Sequence, residues 1–502
     1  LPKTLWIDVE DLFEYAERNP RPSGIQRVSV EFYRIFQDKL GPTGEVRFVR
    51  LDVAQKSFII VQPKLVFDLF QNLLEKSGDA VSNGAGGESD KSATGTLTRT
   101  ESLLRHQLRR FLYRFPISIR YRLINIARLQ ISALSSFADL FAYVARAIVR
   151  RTFQKKRSKC NELSHTMSAD PGKFEEFSRS VRTGDILLAI GANWICPDYS
   201  SIIKYNKKKF GIEFAFLCHD IIPIACPEWC EPNFSRVFRA WFVSILPMSD
   251  HIFTVSQYSA DDLTRFAALE TISLLSKPKV VTIGSGFKID THQVPGTQRA
   301  LPAAGTYILC VSTIEARKNQ TLLFRVWHRM MVDMAPSEVP TLVFAGRIVW
   351  QVADLMTQME NTNFLDRKIM LLPSLSDFEL RELYRGCLFT VFPSFYEGWG
   401  LPVTESLAFG KPCVASNKTS IPEAGGKFAR YFDPDNGNEA YDMIRGLISD
   451  RTGLAAWEAD IRENFRPTSW NKGAETILVA LGMDFSVDPG APSAQHVTQS
   501  AP

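Results

Sequence analysis

The chain has 502 residues, 45% hydrophobic and 23% charged, with a formal net charge of +5. That length is too great for one ordinary core, so two domains plus extensions are expected, and the composition is that of a soluble globular protein. The charge is uneven: Arg99 to Lys159 holds 15 basic side chains against Glu101 and Asp139, a local excess of about +13 that leaves about −8 for the remainder. Eight cysteines lie without paired spacing, and with no basic leader and apolar core after Leu1 they read as reduced cytoplasmic thiols. Cys226 and Cys230, near Cys218 and His219, match no usual zinc module and are expected to be buried apolar cysteines.

In chain order, residues 4–9 (Thr-Leu-Trp-Ile-Asp-Val) read as a strand and 24–40 as a helix, with Ile25, Val28, Val30, Phe32, Ile35 and Phe36 as its apolar residues. Arg21-Pro22-Ser23-Gly24 between them is a turn ending in a helix cap, without a G-x-G-x-x-G fingerprint. Residues 77–100, rich in Gly, Ser, Ala and Thr, form a flexible linker. A basic segment follows. From Leu103 to Phe115, Leu103, Leu104, Leu108, Phe111, Leu112 and Phe115 share one helical face, flanked by Arg105, Arg109, Arg110 and Arg114, until Pro116 breaks the pattern. A second apolar stretch, 129–149, is interrupted by Asp139 and Arg146. Its charge-free runs are too short for a bilayer, which needs roughly twenty residues. A helix in the interface against anionic lipid fits this pattern; RNA binding and a solvated helical hairpin packed on the rest of the chain are the competing readings.

Short strands then return at 186–190, 213–218, 251–255 and 280–283, separated by helical stretches, so the basic segment is an insertion within a first doubly wound domain. Residues 288–304 carry Pro295, Gly296 and Pro302 and form an interdomain linker. A second alternation of strands and helices fills 306–465. The stretch 486–502 is mostly Pro, Ser, Gln and Ala and is expected to be disordered.

The chemistry concentrates in 389–410, Phe-Thr-Val-Phe-Pro-Ser-Phe-Tyr-Glu-Gly-Trp-Gly-Leu-Pro-Val-Thr-Glu-Ser-Leu-Ala-Phe-Gly. Glu397 and Glu405 stand on either side of a Gly-Trp-Gly turn that follows a strand and opens a helix, where open α/β sheets bind ligands. Pro402 suits the first helical position, which would put Glu405 in the first turn, beside N–H groups that attract an anion such as phosphate. Gly398 and Gly400 would let the backbone approach a ligand closely. His219-Asp220 follows a strand at the carboxyl edge of the first sheet, with Asp220 either orienting the imidazole or capping the next turn. Asp433-Pro434-Asp435 superficially matches an Asp-x-Asp metal site, but its proline and Asn436-Gly437 argue for a turn leading into a helix.

The 389–410 segment resembles the Glu-x7-Glu signature of the retaining nucleotide-sugar glycosyltransferases of family four, the group 1 glycosyl transferases, which have the B-type fold. Ile308 to Asn319 (Ile-Leu-Cys-Val-Ser-Thr-Ile-Glu-Ala-Arg-Lys-Asn) is similar to that family's first nucleotide-domain strand and basic loop, and Leu342 to Arg347 (Leu-Val-Phe-Ala-Gly-Arg) to its next strand and glycine. Trp470 resembles the aromatic residue where the last helix crosses back. The likeness covers most of 1–75 and 183–482.

The resemblance implies two Rossmann-like doubly wound domains facing a central cleft. The first, 1–287, lies on the acceptor side and contains the linker and basic helical insertion at 77–182. The linker 288–304 leads to a nucleotide-sugar domain at 305–465, then a helix at 466–482 crossing back and a tail at 483–502. It also implies transfer of a hexose with retention, mannose from GDP-mannose being favoured, to a glycan or lipid-linked oligosaccharide in surface polysaccharide synthesis. No cofactor or essential metal is implied, nor a nucleic-acid partner. The unpaired cysteines and the basic segment, for their part, give an expected location that is cytoplasmic, with peripheral attachment at the inner face of the plasma membrane through 103–159. His219, Glu397, Lys318 and Arg317 become the catalytic candidates: Lys318 and Arg317 for the leaving diphosphate, and Glu397 and His219 for the donor sugar. Glu405 would take the ribose, and Gly398, Trp399, Gly400, Leu401, Thr404, Gly24, Arg27, Gly346 and Ser256 are further donor-binding candidates. The sequence departs from the commoner family pattern at Thr313, where an arginine would stand, so Arg317 is the replacement guanidinium. The rival readings are another B-type enzyme, such as a nucleotide-sugar epimerase or a glycogen-type synthase, and an inactive scaffold held at a membrane.

Overall fold

The computed structural model describes residues 2–19, 21–79, 177–196, 198–284, 300–349, 351–373 and 375–483. The Gly/Ser-rich linker beyond residue 79, the basic insertion, residues 285–299 and the tail lie outside the described residues.

Two sheets organise the chain. The first contains β1 (Leu5–Asp8), β2 (Val46–Asp52), β3 (Ser57–Val61), β4 (Ile186–Ala189), β5 (Glu213–Cys218), β6 (His251–Thr254) and β7 (Lys279–Val280) in the order β3-β2-β1-β4-β5-β6-β7. All neighbours pair in parallel except β2 and β3, an antiparallel pair in a stretch where no strand was expected from the sequence. The second contains β8 (Tyr307–Val311), β9 (Thr341–Ala345), β10 (Ile369–Leu372), β11 (Thr390–Phe392), β12 (Cys413–Ser416) and β13 (Arg430–Phe432) in the order β10-β9-β8-β11-β12-β13, all parallel. Strands such as Leu-Trp-Ile-Asp and Ile-Leu-Leu-Ala are buried along their whole length. A parallel sheet covered by helices on both faces demands such continuous apolar runs.

The longer helices are α1 (Glu10–Arg18), α2 (Gly24–Leu40), α3 (Pro63–Asp79), α4 (Tyr199–Phe210), α5 (Pro232–Ile245), α6 (Gln257–Leu269), α7 (Gln320–Asp333), α8 (Ala353–Asn361), α9 (Asp377–Gly386), α10 (Leu401–Ala408), α11 (Gly437–Ser449), α12 (Arg451–Asn464) and α13 (Trp470–Ala480). The first sheet is covered on one face by α2, whose Val28, Phe32, Tyr33 and Phe36 are buried, and on the other by α4 and α5. The start of α2 is set by Ser23, whose hydroxyl accepts from the Ile25 N–H at 3.2 Å in a capping box with Gln26.

The last helix returns to the first sheet. Ala474, Ile477 and Leu478 of α13 join the core around Phe32 and Val281. Trp470 meets Phe32 edge-on at 5.6 Å, and Gly284 is so close that a β-carbon there would lie 2.3 Å from the indole. Among the described residues, no helix is long and apolar enough to cross a membrane.

Candidate active site at the interdomain cleft

In each sheet the strand order reverses between two neighbours, β1 and β4 in the first and β8 and β11 in the second. Loops leaving the carboxyl ends of such a pair diverge to opposite faces and open a crevice. In the second sheet this brings together residues 79 apart in sequence. The loop after β8 forms a short turn, Ala316–Lys318, and the loop after β11 carries Ser394 to Gly400. Lys318 Nζ lies 2.5 Å from Glu397 Oε1, which also accepts from the Ser394 hydroxyl at 2.5 Å, while an Arg317 guanidinium nitrogen lies 3.2 Å from Glu397 Oε2. Arg317 pairs at 2.6 Å with Glu315 and also donates to the Tyr396 carbonyl.

Glu397 and Glu315 are buried, and the Arg317 and Lys318 side chains are only 15% and 13% exposed, so the electrostatics of the cluster are strong. Burial alone would push the Glu397 carboxyl upward, but Lys318 and then Arg317 outweigh it and bring the pKa down to about 2. Burial and Arg317 act on Lys318 in the other direction and lower its pKa, with Glu397 and Glu315 opposing them. Two cations thus face two carboxylates. The cations are held in place, and an entering diphosphate would compete with Glu397 and Glu315 for them.

The helix after the Gly-Trp-Gly turn begins earlier than the sequence suggested. Gly400 takes φ +111 at the N-cap, Leu401 becomes the first helical residue and Pro402 the second. Glu405 is therefore one turn inside α10 and not in its first turn. Its Oε2 accepts from the Tyr384 hydroxyl at 2.8 Å, and burial raises its pKa while Tyr384 and Arg27 oppose the rise. Thr404 bonds back to the Leu401 carbonyl at 3.0 Å. Leu401 and Trp399 pack against the first domain's core, and the Trp399 indole nitrogen is buried without a partner among the described residues. Gly398 has a different reason for being glycine than the expected approach to a ligand: a β-carbon there would lie 2.1 Å from the His219 carbonyl oxygen of the first domain. The two loops meet backbone to backbone. Gly346, at φ +155, is packed similarly, with its β-carbon position 2.0 Å from the Ser312 carbonyl oxygen.

On the first-domain side His219 is buried, and its Nε2 lies 2.7 Å from the Ile190 carbonyl. Only a donating Nε2–H satisfies that oxygen, which leaves Nδ1 as the acceptor. Burial lowers the pKa to about 4, so the ring is neutral at physiological pH. Of the two roles open to Asp220, the structure shows the cap: its Oδ1 accepts from the Ile222 N–H at 3.0 Å. Ser256 also proves to be a cap, at the start of α6, where its hydroxyl accepts from Ser259 N–H at 3.0 Å.

An acidic group at the first reversal was not foreseen. Asp8 accepts from Tyr199 at 2.7 Å and Asn193 at 2.9 Å, and Asp11 accepts from the Ala192 N–H at 3.2 Å. Burial raises Asp8 to about 7 and Asp11 to about 6. Asp11 packs so tightly under Gly191 that a β-carbon there would lie 1.9 to 2.1 Å from its carboxylate. It therefore pins the turn that presents the Ile190 carbonyl to His219. An acidic residue at the carboxyl end of the first strand was the signal available in the sequence.

Side chains also bridge the cleft. Arg27, a donor-binding candidate, forms a two-pronged pair with Asp377 at 2.7 and 2.9 Å. Gly24 opens α2 with Leu401 opposite, and its β-carbon position 3.7 Å from that side chain leaves ordinary room. Glu423 accepts from the Gln257 and Tyr258 N–H groups at 2.7 and 2.8 Å, capping α6 from the other domain. Tyr396 donates to Asp262, and Trp229 stacks on Phe395 with centroids 5.6 Å apart. Cys226 and Cys230 are only half-buried, because they flank the surface turn Pro227–Trp229. Among the described residues no group of three or more His, Cys, Asp or Glu side chains is placed to hold a metal. Asp433 accepts from the Asp435 N–H at 3.0 Å and pairs with Lys418 at 3.0 Å in the turn before α11.

Residues 297–466 match the family model described as glycosyl transferases group 1. The O-antigen chain mannosyltransferase B of Escherichia coli is 26% identical over 297 residues, 58% of this chain and 73% of that protein. The serotype-specific mannosyltransferase WbdA of Escherichia coli is 27% identical over 278 residues, covering 53% of this chain but 33% of that protein. The crystal structure of Anabaena Alr3699/HepE in complex with UDP aligns at 16% identity with a TM-score of 0.43, over 59% of this chain and 78% of that one. The matched region holds the second parallel sheet and the Lys318–Glu397 site, and it is this part of the chain that is similar to the group 1 glycosyl transferases.

Proposed function

We propose that the protein transfers mannose from GDP-mannose, with retention, to a glycan or lipid-linked oligosaccharide in the assembly of a surface polysaccharide. The observation that carries a transfer role is the largely enclosed Arg317–Lys318–Glu397 cluster at the second-sheet reversal, with neutral His219 next to it across the Gly398 contact. Positioned cations suit a leaving nucleoside diphosphate, whose negative charge grows as the glycosidic bond breaks. Glu397, held ionised, orients Lys318 and presents carboxylate oxygens toward sugar hydroxyls. Glu405, one turn into α10, is assigned to the ribose.

Mannose is supported by the matched relatives, several of which are named as mannosyltransferases. Retention rests on the likeness of the Glu397 to Glu405 segment to the Glu-x7-Glu signature. Independence of a metal follows from giving the diphosphate charge to Arg317 and Lys318. Peripheral membrane binding is assigned to 103–159, outside the described residues; it predicts sedimentation with anionic liposomes at low salt and partial release at high salt.

The test is a thermal-shift screen of nucleotide sugars, since a ligand bound only by the folded state raises apparent stability. A transfer assay follows, with the product anomer read by NMR. GDP-mannose should give the largest shift and an α-linked product. Stabilisation by a UDP-sugar alone would refute the donor, and a β-linked product would refute retention.

A further inference from the structure

A cavity of about 350 Å³ adjoins the Lys318–Glu397 pair and shares Asn319 and Phe395 with the two loops that carry it. Its volume falls within the roughly 300–1,000 Å³ typical of small-molecule sites. The exposed side of α7 supplies Thr321, Arg325 and Arg329, the turn before α11 supplies Asp435, and α11 supplies Asn438 and Tyr441.

Part of this lining is already fixed. Arg329 lies 3.3 Å from Asp333, donates to Asn438 Oδ1 at 2.9 Å and covers the Tyr441 ring at 3.8 Å, while the Tyr441 hydroxyl donates to Asp333 at 2.7 Å. Leu322, Val326 and the Phe395 ring give the cavity an apolar wall, and the parallel stack of Phe395 on Trp229 carries an aromatic surface across to the first domain. Arg325 is exposed and makes no ion pair among the described residues.

Two guanidinium groups would suit an anion, but Arg329 is already balanced by Asp333, and the Asp435 carboxylate lines the same cavity. A neutral ligand with many hydroxyls meets no such repulsion. It can accept from Arg325 and Asn438, donate to Asp435 and Thr321, and lay its C–H face on the apolar wall. We propose that this cavity is an acceptor-glycan subsite, which holds a pyranose of the growing chain upstream of the unit that receives the new sugar. The proposal rests on the glycan-acceptor reading above and places the upstream part of the acceptor on the second domain, across the Phe395–Trp229 stack from the acceptor-side first domain.

The test uses the full chain with Arg325→Ala and Thr321→Trp, both on the exposed side of α7 and outside the Lys318–Glu397 site. Without donor, saturation-transfer NMR with α-mannotetraose should show a signal that falls at least about threefold in each variant. With donor, KM for the tetraose should rise about tenfold, the loss expected for one or two polar contacts, with kcat, donor hydrolysis and KM for methyl α-mannoside unchanged. Unchanged melting temperatures would confirm that both variants fold. Wild-type tetraose binding and KM in both variants would overturn the subsite. So would inorganic phosphate abolishing the Arg325-dependent signal, which would make the cavity an anion site. If GDP-mannose supports no transfer while Arg325→Ala still loses tetraose binding, the donor assignment fails and the subsite stands.

Discussion

Gly398→Ala puts a methyl group where the two domains touch. The new β-carbon would lie 2.1 Å from the His219 carbonyl oxygen, 3.1 Å from its carbon and 3.0 Å from the Asp220 β-carbon, whereas ordinary contacts begin near 3.4 Å. The seam must therefore widen by more than about 1 Å. Gly398 is not among the glycines with positive φ, so alanine adds no backbone strain of its own. Relief is easiest by moving one domain from the other, since each loop is anchored in its own sheet. That displacement separates His219 from the Glu397 cluster, and misplacement by about 1 Å costs on the order of a hundredfold in turnover. Each domain keeps its own core, so the melting temperature should change by no more than about 2 °C, as for a loss well below 1 kcal/mol. Steady-state transfer assays give kcat, calorimetry gives the melting temperature, and X-ray scattering should show a larger radius of gyration. A variant with turnover within about threefold of wild type would refute the claim that the Gly398–His219 contact sets the reactive geometry.

Other substitutions separate the individual roles. Lys318→Ala should lower kcat on the order of a hundredfold, as for other electrostatic stabilisers; near-normal turnover would move that role to Arg317. Glu405→Ala should weaken donor binding more than Glu397→Ala, because a ribose contact is shared by ground and transition states, and titration calorimetry with the donor would expose equal losses. Burial raises Asp8 to about 7, so the unfolded chain ionises it from about pH 4 while the folded protein keeps it protonated, and stability falls as pH rises from about 4 to 7. Asp8→Asn should remove a slope worth on the order of a few kcal/mol across that window in urea titrations, with Asp11 leaving a smaller one; an unaltered slope would show that Asp8 is ionised in the fold. EDTA should leave transfer intact, and a full loss restored by a divalent ion would overturn the metal-free assignment.

The strands and the Glu397 to Glu405 segment were legible because their signals are local: apolar runs of strand length, a glycine turn, a proline near a helix start. The start of α2 at Ser23 was legible for the same reason. What escaped depends on partners far away in sequence. Arg27 and Asp377 are 350 positions apart, and no spacing rule links them. Gly398 looked like a glycine that admits a ligand, but its β-carbon space is filled by a chain segment from the other sheet. Glu405 moved off the first turn because Gly400, with its positive φ, served as the cap and drew Leu401 into the helix. Asp8 and Asp11 are ordinary acidic residues by sequence, and only the pairing of β1 with β4 brings them to Asn193, Tyr199 and Ala192.

The return of α13 to the first sheet has a mechanical consequence. The polypeptide passes from the first sheet to the second after Gly284 and comes back before Trp470, and at the seam those two residues are in contact. The Gly284–Trp470 contact therefore pins both crossings at one place and works as a pivot. Translation of one half against the other is resisted there, and swinging about it is left as the soft coordinate. Along that swing, pairs far from the pivot separate most for a given angle. The order in which Arg27–Asp377, Glu423–Gln257 and Gly398–His219 part is then fixed by each pair's lever arm from Trp470.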